Sequence, residues 1–171
     1  MQKIAIIGSG GSGKSTLSKK LANKLNLPVY HLDALHWRPG WVPTPVAEWD
    51  QLQLELTAQN EWIIDGNYGR TMDIRLREAD TIIYLDYPTY ISLFRVVKRR
   101  FQYKGKTRPD MAAGCEEKID LKFVKWIWRY RRDQRPKVLS KLNELKSSKQ
   151  IYIFTSPRQL EQFLQQDLSE H

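Results

Sequence analysis

A short stretch near the start of the chain combines glycines, hydroxyls and one lysine at a spacing that suits phosphate binding. It reads Gly8, Ser9, Gly10, Gly11, Ser12, Gly13, Lys14, Ser15 and Thr16, and residues 8–15 match the pattern G-x-x-x-x-G-K-[ST] in full. Backbone N–H groups in such a loop, and the N-terminus of the following helix, can surround a polyphosphate. Lys14 then supplies a positive charge, and the Ser15 hydroxyl can ligate Mg²⁺. The stretch therefore predicts a nucleoside triphosphate site, with ATP and Mg²⁺ as cofactors.

The flanking residues provide the context that this pattern needs. The apolar run of residues 4–7 comes directly before it, and Leu17, Leu21 and Leu25 follow at helical spacing. A flexible Gly/Ser turn that matched the pattern by chance would lack both the strand and the helix. We therefore interpret residues 8–15 as a phosphate-binding loop, called the P-loop below.

Two aspartates that follow other apolar runs could handle a metal ion or a proton. Asp65 follows residues 62–64, where it could orient Mg²⁺ through water together with Ser15, or accept a proton from an acceptor hydroxyl. Asp33 follows residues 28–32 and could position or deprotonate that acceptor. Either aspartate could instead be a loop carboxylate that accepts backbone N–H bonds. We predict Ser15 and Asp65 as metal-binding residues and Asp33 as a substrate-binding residue.

Phosphoryl transfer requires positive charge around the migrating group from several directions. Lys14 and Mg²⁺ would act from one side, and arginines on a lid could close from the other. We predict nucleotide binding by Arg95 and Arg99, and catalytic roles for Lys14, Asp65, Arg129 and Arg132. On a helix, Arg129 and Arg132 lie in a basic stripe beside an apolar one, so a solvated helix face is the alternative interpretation.

These residues need a scaffold, and the pattern of apolar runs predicts a parallel sheet covered by helices. The predicted strands are residues 3–7, 28–32, 61–65, 81–86 and 150–155. Predicted helices begin at Lys14 and after Thr44-Pro45, and others cover residues 71–79, 89–101, 118–145 (one long stretch) and 158–168. In open sheets of this kind the ligand lies beyond the carboxyl ends of the strands, where the P-loop, Asp33 and Asp65 fall.

Length and composition limit the number of domains and the classes of protein to which the chain could belong. A chain of 171 residues suits one domain, and no apolar stretch in it is long enough to span a bilayer. The apolar segment at the start lacks a basic flank and a cleavage site, so we expect a strand rather than a signal peptide. The single Cys115 excludes an internal disulfide and a four-cysteine zinc site, and it suits a reducing cytoplasm.

The positive charge is concentrated in one region. Residues 88–149 hold 18 Lys/Arg against 6 Asp/Glu, a net charge of +12 in a chain whose total is +9. Such a region attracts polyanions, which could be the phosphates of bound nucleotides or the backbone of DNA. Composition does not choose between these partners, and no DNA-reading motif is visible.

Several stretches resemble adenylate kinases and other nucleoside monophosphate kinases, over nearly the whole chain. Residues 65–71 (DGNYGRT) resemble their Asp-Gly-Phe-Pro-Arg stretch, and 85–88 with 95–100 resemble their strand–proline segment and the arginine-bearing helix before the lid. Arginines at 129, 131, 132 and 135 stand where lid arginines return to the phosphates. The resemblance implies a three-layer P-loop fold with a five-stranded parallel sheet. It also implies an acceptor-binding segment at 33–60, a helical lid at 101–130, and adenine contacts by Ser156 and Pro157.

A narrower set of residues resembles the bacterial topology modulation proteins. It includes residues 31–37 (HLDALHW), the tryptophan-rich segment up to Trp49, residues 64–68 and residues 128–130. These proteins are adenylate-kinase-like in sequence, but their name describes an effect on DNA topology rather than a reaction. The chemistry must therefore be argued from the residues themselves.

The resemblance to monophosphate kinases breaks where their acceptor phosphate is bound. Those enzymes place an arginine close behind the first acceptor-side aspartate, whereas this chain has Leu35, His36 and Trp37 there, with Arg38 next. Arg70 matches the arginine that makes a second acceptor contact in those enzymes, although one inserted residue shifts its position. Trp37 could be a stacking wall for the acceptor or a packing residue, and we expect His31 and His36 to be structural or at the rim. A small acceptor that is not a nucleotide fits these departures.

Three functions are compatible with the sequence. The first is a kinase that transfers the γ-phosphoryl group of Mg-ATP to a nucleotide or small molecule, with the acceptor between Asp33, Asp65 and Arg70. The second is a nucleotide-responsive regulator that associates with DNA through residues 88–149. The third is an ATPase that drives a partner's motion, although no coupling element is visible. The motifs favour the kinase.

Overall fold

The computed structural model describes residues 1–117 and 120–166. Its strands are β1 (Lys3–Gly8), β2 (Val29–His31), β3 (Trp37–Arg38), β4 (Val42–Pro43), β5 (Trp62–Asp65), β6 (Thr81–Leu85) and β7 (Gln150–Phe154). Five of them form a parallel sheet in the order β2-β5-β1-β6-β7, and β3 and β4 pair as an antiparallel hairpin. The five predicted strands are confirmed.

Helices connect the parallel strands. They are α1 (Lys14–Leu25), α2 (Leu32–His36), α3 (Val46–Ala58), α4 (Met72–Glu78), α5 (Thr89–Gln102), α6 (Leu121–Asp133), α7 (Arg135–Leu145) and α8 (Pro157–Gln166). A short 3₁₀ turn at Gly69–Thr71 precedes α4. None of the described helices combines the length and the apolar character that crossing a membrane requires.

The two faces of the sheet carry separate apolar cores, which gives the three predicted layers. Along β1, Ile4 and Ile6 pack into the core beneath α1 and α8, while Ala5 and Ile7 pack into the core beneath α3, α4, α6 and α7. Side chains alternate between the faces of a strand, so a strand covered on both sides reads as a continuous apolar run. This is why the apolar runs in the sequence predict the strands.

The strand register places the predicted site residues at one edge of the parallel sheet. Gly8 is level with Leu85, while Ile6 and His31 are each level with Asp65. The P-loop, Asp65 and Asp33 therefore leave the sheet at the carboxyl ends of neighbouring strands. That is the edge at which sheets of this topology bind ligands.

Two predicted elements differ from the structure. The prediction of one continuous helix over residues 118–145 is wrong, because the structure has two helices, α6 and α7, that meet at Gln134. Pro136 has no backbone N–H, so the hydrogen bonds of α6 cannot continue past it. The strand expected to reach Leu32 ends at His31, and the buried Leu32 already belongs to α2. The predicted ends at Lys118 and Leu168 lie outside the described residues.

The β3–β4 hairpin, which we did not predict, contacts the irregular segment 103–117. Its tip contains Gly40 and Trp41, with φ values of 76° and 65°. The Gly40 N–H donates to the Gly114 carbonyl at 3.2 Å, and the Trp41 Nε1–H donates to the Glu116 carbonyl at 3.2 Å. Cys115 is buried beside the hairpin and its Sγ lies 3.3 Å from the Arg38 carbonyl oxygen. The predicted acceptor segment and the predicted lid therefore touch.

Candidate functional site

The P-loop follows β1 and is held tightly against β6 and α5. Gly8, Gly11 and Gly13 have φ values of 149°, 77° and 97°. A Cβ atom on Gly11 would lie 2.4 Å from the Ser92 carbonyl oxygen, and one on Gly8 would lie 2.8 Å from the Leu85 carbonyl oxygen. These positions exclude side chains on steric grounds, so glycine is required for the loop to take this shape.

Charged side chains brace the loop from both sides. The Lys14 ammonium donates to the carbonyls of Gly8 at 3.0 Å and Ser9 at 2.9 Å. Arg95 donates from Nη1 to the Ser12 carbonyl at 2.8 Å. Burial lowers the pKa of Lys14, whereas the charges of Asp33 and Asp65 act to raise it. The loop is thus preformed, with positive charge already beside it.

A cleft of about 700 Å³ opens in front of the P-loop. Of the predicted site residues it is lined by Gly10, Gly11, Ser12, Gly13, Lys14, Ser15, Thr16, Asp33, Asp65, Arg95, Arg99 and Pro157. The structure therefore brings the predicted metal residues, most of the predicted phosphate residues and one predicted acceptor residue, Asp33, to a single cleft. Gly8 lies at the end of β1, where the loop begins.

Asp65 lies at the base of the cleft and is only 4% exposed. It accepts hydrogen bonds from the Ser18 hydroxyl of α1 and from His31 Nδ1, the latter at 2.6 Å. A buried carboxylate with two such partners has a fixed orientation. His31 therefore positions Asp65, which agrees with the structural role expected for that histidine.

Three further charged residues of the site were not predicted, and all come from segment 103–117. Arg108, Asp110 and Glu117 are 8%, 8% and 3% exposed. Arg108 Nη1 donates to Asp110 at 3.0 Å, and Arg99 Nε donates to Glu117 at 3.0 Å. Arg108 and Asp110 line the cleft. The only sequence signal was the basic composition of the segment, because irregular backbone has no periodicity that could identify inward-facing positions.

Asp110 lines the same cleft as the P-loop. Burial disfavours its charged form, but the Arg108 guanidinium and the Ser15 hydroxyl outweigh this, so the pKa of Asp110 lies below its ordinary value. Burial likewise lowers the pKa of Arg99, with Arg108 as a further cause. Segment 103–117 thus places Asp110 and Arg108 at the cleft, and α5 adds Arg99.

The other predicted cations lie elsewhere. Arg129 and Arg132 are exposed on α6 and do not line the cleft, and Arg132 pairs with Asp133, its Nε 2.6 Å from Oδ1. Arg135 donates from Nε to both oxygens of the buried Asp86, at 2.9 and 2.8 Å. Ser156 is half-buried next to Pro157, and its hydroxyl accepts the Gln159 N–H at the start of α8, 3.4 Å away.

A smaller cavity lies beside the part of the cleft at Asp33, the predicted acceptor residue. Asp33 accepts a hydrogen bond from the Tyr68 hydroxyl at 2.8 Å, and Tyr68 is part of the wall of a cavity of about 150 Å³. The rest of this wall is formed by His36, Thr44, Val46, Trp49, Gly69 and Arg70. The Asp33–Tyr68 hydrogen bond therefore stands where the two cavities meet. Burial, followed by the Asp33 charge, raises the pKa of the Tyr68 hydroxyl, which keeps it protonated as a donor.

The two remaining predicted substrate residues flank that cavity. Arg70 pairs with Asp50 on α3 through two hydrogen bonds of 2.6 and 2.8 Å. Trp37 packs edge-on against His36 and Trp41, with ring centroids 5.0 and 5.5 Å apart. Arg70 is thus beside the acceptor cavity but paired, and Trp37 supports its wall.

Two buried polar atoms test whether the cleft fits a Mg-nucleotide. The Ser12 hydroxyl has no hydrogen-bond partner within the described part of the chain. Arg108 Nε lies 2.8 Å from Glu117 Oε2, but its N–H does not point at that oxygen and makes no hydrogen bond to any described residue. Buried donors normally have partners, and phosphate oxygens are suitable acceptors. Together with the glycine loop, these atoms fit a polyphosphate, and Ser15 and Asp65 fit its Mg²⁺.

The comparisons with known proteins agree with this class of fold. No protein-family model matches the chain, and no curated protein does. Among solved structures, a sugar kinase from Janibacter sp. HTCC2649 is 16% identical with a TM-score of 0.55, covering 96% of this chain and 93% of that one. Shikimate kinase from Acinetobacter baumannii, in complex with shikimate, is 16% identical with a TM-score of 0.55, covering 99% and 94%.

A third similar structure is deoxyadenosine kinase from M. mycoides with bound dCTP. It is 14% identical with a TM-score of 0.50, covering 98% of this chain and 99% of that chain. At such identities the likeness establishes the fold alone. The chain has the adenylate-kinase-like P-loop fold that nucleoside and sugar kinases share, as the sequence predicted.

Proposed function

We propose that the protein is an ATP-dependent phosphotransferase that transfers the γ-phosphoryl group of Mg-ATP to a small hydroxylated acceptor. The observation that carries the proposal is the shared cleft, because the P-loop, Asp65 and Asp33 all line it. Phosphoryl transfer needs mainly positioning and charge neutralisation, and the arrangement supplies groups for both.

The nucleotide side has residues suited to each part of the triphosphate. P-loop N–H groups, the Ser12 hydroxyl and Lys14 would bind the phosphates, while Arg99 and Arg108 would face them from the opposite wall. Mg²⁺, held by Ser15 and by Asp65 through water, would withdraw charge from the transferring group. We assign the adenine to Pro157 and the neighbouring Ser156. Arg129 and Arg132 would join this site only if α6 moved towards the cleft.

The acceptor side favours a compact molecule over a nucleoside monophosphate. Arg70, which lines the cavity, is engaged by Asp50, and Arg38, which follows Trp37 in the chain, is engaged by Glu48 at 2.6 Å. A cavity of about 150 Å³ holds roughly one six-membered ring. The acceptor hydroxyl would lie at Asp33, which would orient it or accept its proton, while the ring would enter the cavity beyond Tyr68.

The test is acceptor-dependent ADP release. The purified protein is incubated with Mg-ATP and a panel of nucleoside monophosphates, deoxynucleosides and small ring hydroxy compounds, with Lys14→Ala as the control. Release that requires both an acceptor and Lys14 is the expected result. ATP binding without acceptor-dependent release from any compound would contradict the proposal.

A regulator that associates with DNA is the second candidate, and one observation favours it. The basic stripe Lys122, Lys125, Arg129 and Arg132 on α6 is not part of the cleft lining, so its charge is not used there. DNA binding through such residues should weaken steeply between low and physiological salt, whereas Mg-ATP affinity should change far less. Asp65→Asn should abolish transfer and leave any DNA binding intact.

A further inference from the structure

The outer side of α5 carries an apolar stripe that the fold leaves exposed. The stripe consists of Tyr90, Phe94, Val97 and Phe101, which recur at intervals of four, three and four residues. Each of these side chains is between 46% and 77% exposed. The opposite side of α5 packs inward through Ser92 and Val96. A helix of a globular protein normally turns its apolar face to the core, so a second apolar face turned to solvent indicates a partner.

Helix α6 extends this surface. A Cβ atom on Gly10 would lie 2.4 Å from Phe123 of α6, and one on Gly11 would lie 2.8 Å from Val96 of α5. Because the buried sides of both helices face the same loop, and the two helices pack on each other, their outer sides face solvent next to one another. The outer side of α6 exposes two further large apolar side chains, Leu121 and Trp128. The six exposed apolar side chains of the two helices are called the α5–α6 surface below.

The α5–α6 surface is larger than the apolar patches of ordinary monomers. An aromatic side chain can bury about 150–250 Å², so four aromatic and two aliphatic side chains at these exposures present roughly 700–800 Å². The largest apolar patch on a typical monomer covers about 300–600 Å², and larger patches mark sites that bind a protein or a membrane. None of the six side chains lines the cleft or the acceptor cavity, so the ligands of those cavities would not cover them.

The charges beside the α5–α6 surface are positive. Lys122, Lys125 and Arg129 are exposed on α6, next to its two apolar side chains. No Asp or Glu occurs in residues 89–102 or 121–132, and acidic residues flank α6 only at its ends. A second copy of the chain docked here would bring two sets of these cations together, which is unfavourable. Charge complementarity therefore requires a negatively charged occupant.

We propose that the α5–α6 surface docks on an anionic lipid bilayer. Apolar side chains that protrude without lining a cavity suit insertion between lipid headgroups, and basic residues beside them suit the headgroup charge. Single-stranded nucleic acid would also attract the cations, but the aliphatic Val97 and Leu121 give its bases no ring to stack on. The inference goes beyond the proposed function and does not depend on phosphoryl transfer.

The experiment measures co-sedimentation of the full chain with vesicles. Vesicles of phosphatidylcholine mixed with phosphatidylserine should bind the protein at least about tenfold more tightly than phosphatidylcholine alone. The double variant Phe94→Gln/Phe101→Gln should weaken binding to the mixed vesicles by about tenfold or more, because it removes two inserted rings. The matched control is Leu54→Gln, an exposed apolar residue of α3, which should leave binding unchanged.

Two further measurements test the charges and the contact. Lys122→Gln/Lys125→Gln should weaken binding to the mixed vesicles by about fivefold for each lysine removed, and added salt should reduce this difference. Lys137→Gln/Lys146→Gln, which changes two exposed lysines of α7, is the control and should have little effect. Lipids with brominated chains should quench the fluorescence of the parent protein, and Trp128→Phe should lose most of that quenching.

The outcomes that would overturn the proposal are distinct. A parent protein that did not bind the mixed vesicles would overturn it, and so would binding that Phe94→Gln/Phe101→Gln left unchanged. A dimer that this variant abolished, or single-stranded DNA binding that it abolished, each without vesicle binding, would assign the surface to a second copy or to nucleic acid instead. All variants change exposed side chains, so their melting temperatures should equal that of the parent. Lys14-dependent ADP release tests the proposed function separately.

Discussion

The two ends of the cleft are built in different ways. At the nucleotide end, glycine backbone, buried charges and the Ser12 hydroxyl, which has no hydrogen-bond partner among the described residues, surround the space in front of the P-loop. At the acceptor end, exposed charges are already paired within the protein, as in Arg70 with Asp50 and Arg38 with Glu48. The backbone of the nucleotide end is shaped for its ligand in advance, whereas the acceptor end depends on side chains that would have to exchange protein partners for ligand.

This difference indicates that the nucleotide end would supply most of the binding energy and the acceptor end most of the specificity. Preorganised donors that need no rearrangement bind a ligand at low cost. Ion pairs that must open favour only an acceptor that can replace both partners. Changes at the nucleotide end should therefore have large effects, and changes at the acceptor end should have small ones that depend on the acceptor.

The largest effect is expected from Gly11→Ala. At this position φ is +77° and the new Cβ would lie 2.4 Å from the Ser92 carbonyl oxygen, so the P-loop must shift. We expect ADP binding, measured by calorimetry, to weaken by about a hundredfold or more. The matched control is Gly40→Ala, where φ is +76° but nothing lies within 4 Å of the new Cβ. Equal losses of ADP affinity in both variants would show that backbone strain, not the loop contact, matters.

Part of the site and most of the fold could be predicted from the sequence. The motif specified Gly11, Lys14 and Ser15, because each follows from local geometry at one strand end. The apolar runs likewise predicted the five strands, since both faces of the sheet are covered. The β3–β4 hairpin could not be predicted, because its strands are only two residues long and are too short to show an alternating pattern.

The lid shows the limit of sequence reasoning at the site. The resemblance indicated Arg95 and Arg99, which line the cleft, but the charge count over residues 88–149 did not identify Arg108. Arg108 faces the cleft because an irregular segment folds back, where it pairs with Asp110. Arg129 and Arg132 have the right residue type and helical spacing, yet they lie on the exposed side of α6.

These two sets of arginines provide the second prediction. Arg108→Ala should lower kcat about a hundredfold, because the guanidinium lines the cleft opposite the P-loop. Arg129→Ala should change kcat by less than about threefold, because its exposed side chain can be replaced by water. Steady-state kinetics with the acceptor found in the panel would measure both. A greater loss of turnover than of ATP affinity in Arg129→Ala would instead indicate that α6 closes over the substrates.

The third prediction compares an ion pair made by a buried carboxylate outside the cleft with a fully exposed ion pair. Arg135→Ala leaves the Asp86 carboxylate buried without its partner, so the free energy of unfolding should fall by about 3 kcal/mol. Arg132→Ala removes an exposed Arg–Asp pair and should leave the urea midpoint unchanged within error. Neither variant should alter ADP affinity. Similar midpoints for the two would mean that the Asp86 pair is neutral to stability.

The smallest expected effect tests whether the acceptor end really exchanges partners. Asp50→Asn weakens the hold on Arg70, so an anionic acceptor should bind Arg70 more easily and its KM should fall roughly two- to fivefold. Glu48→Gln, which releases Arg38 from an equally exposed pair, is the matched control and should leave KM unchanged. A neutral acceptor should respond to neither variant. If Asp50→Asn instead raised KM, Asp50 itself would contact the acceptor, and the acceptor end would be as preformed as the P-loop.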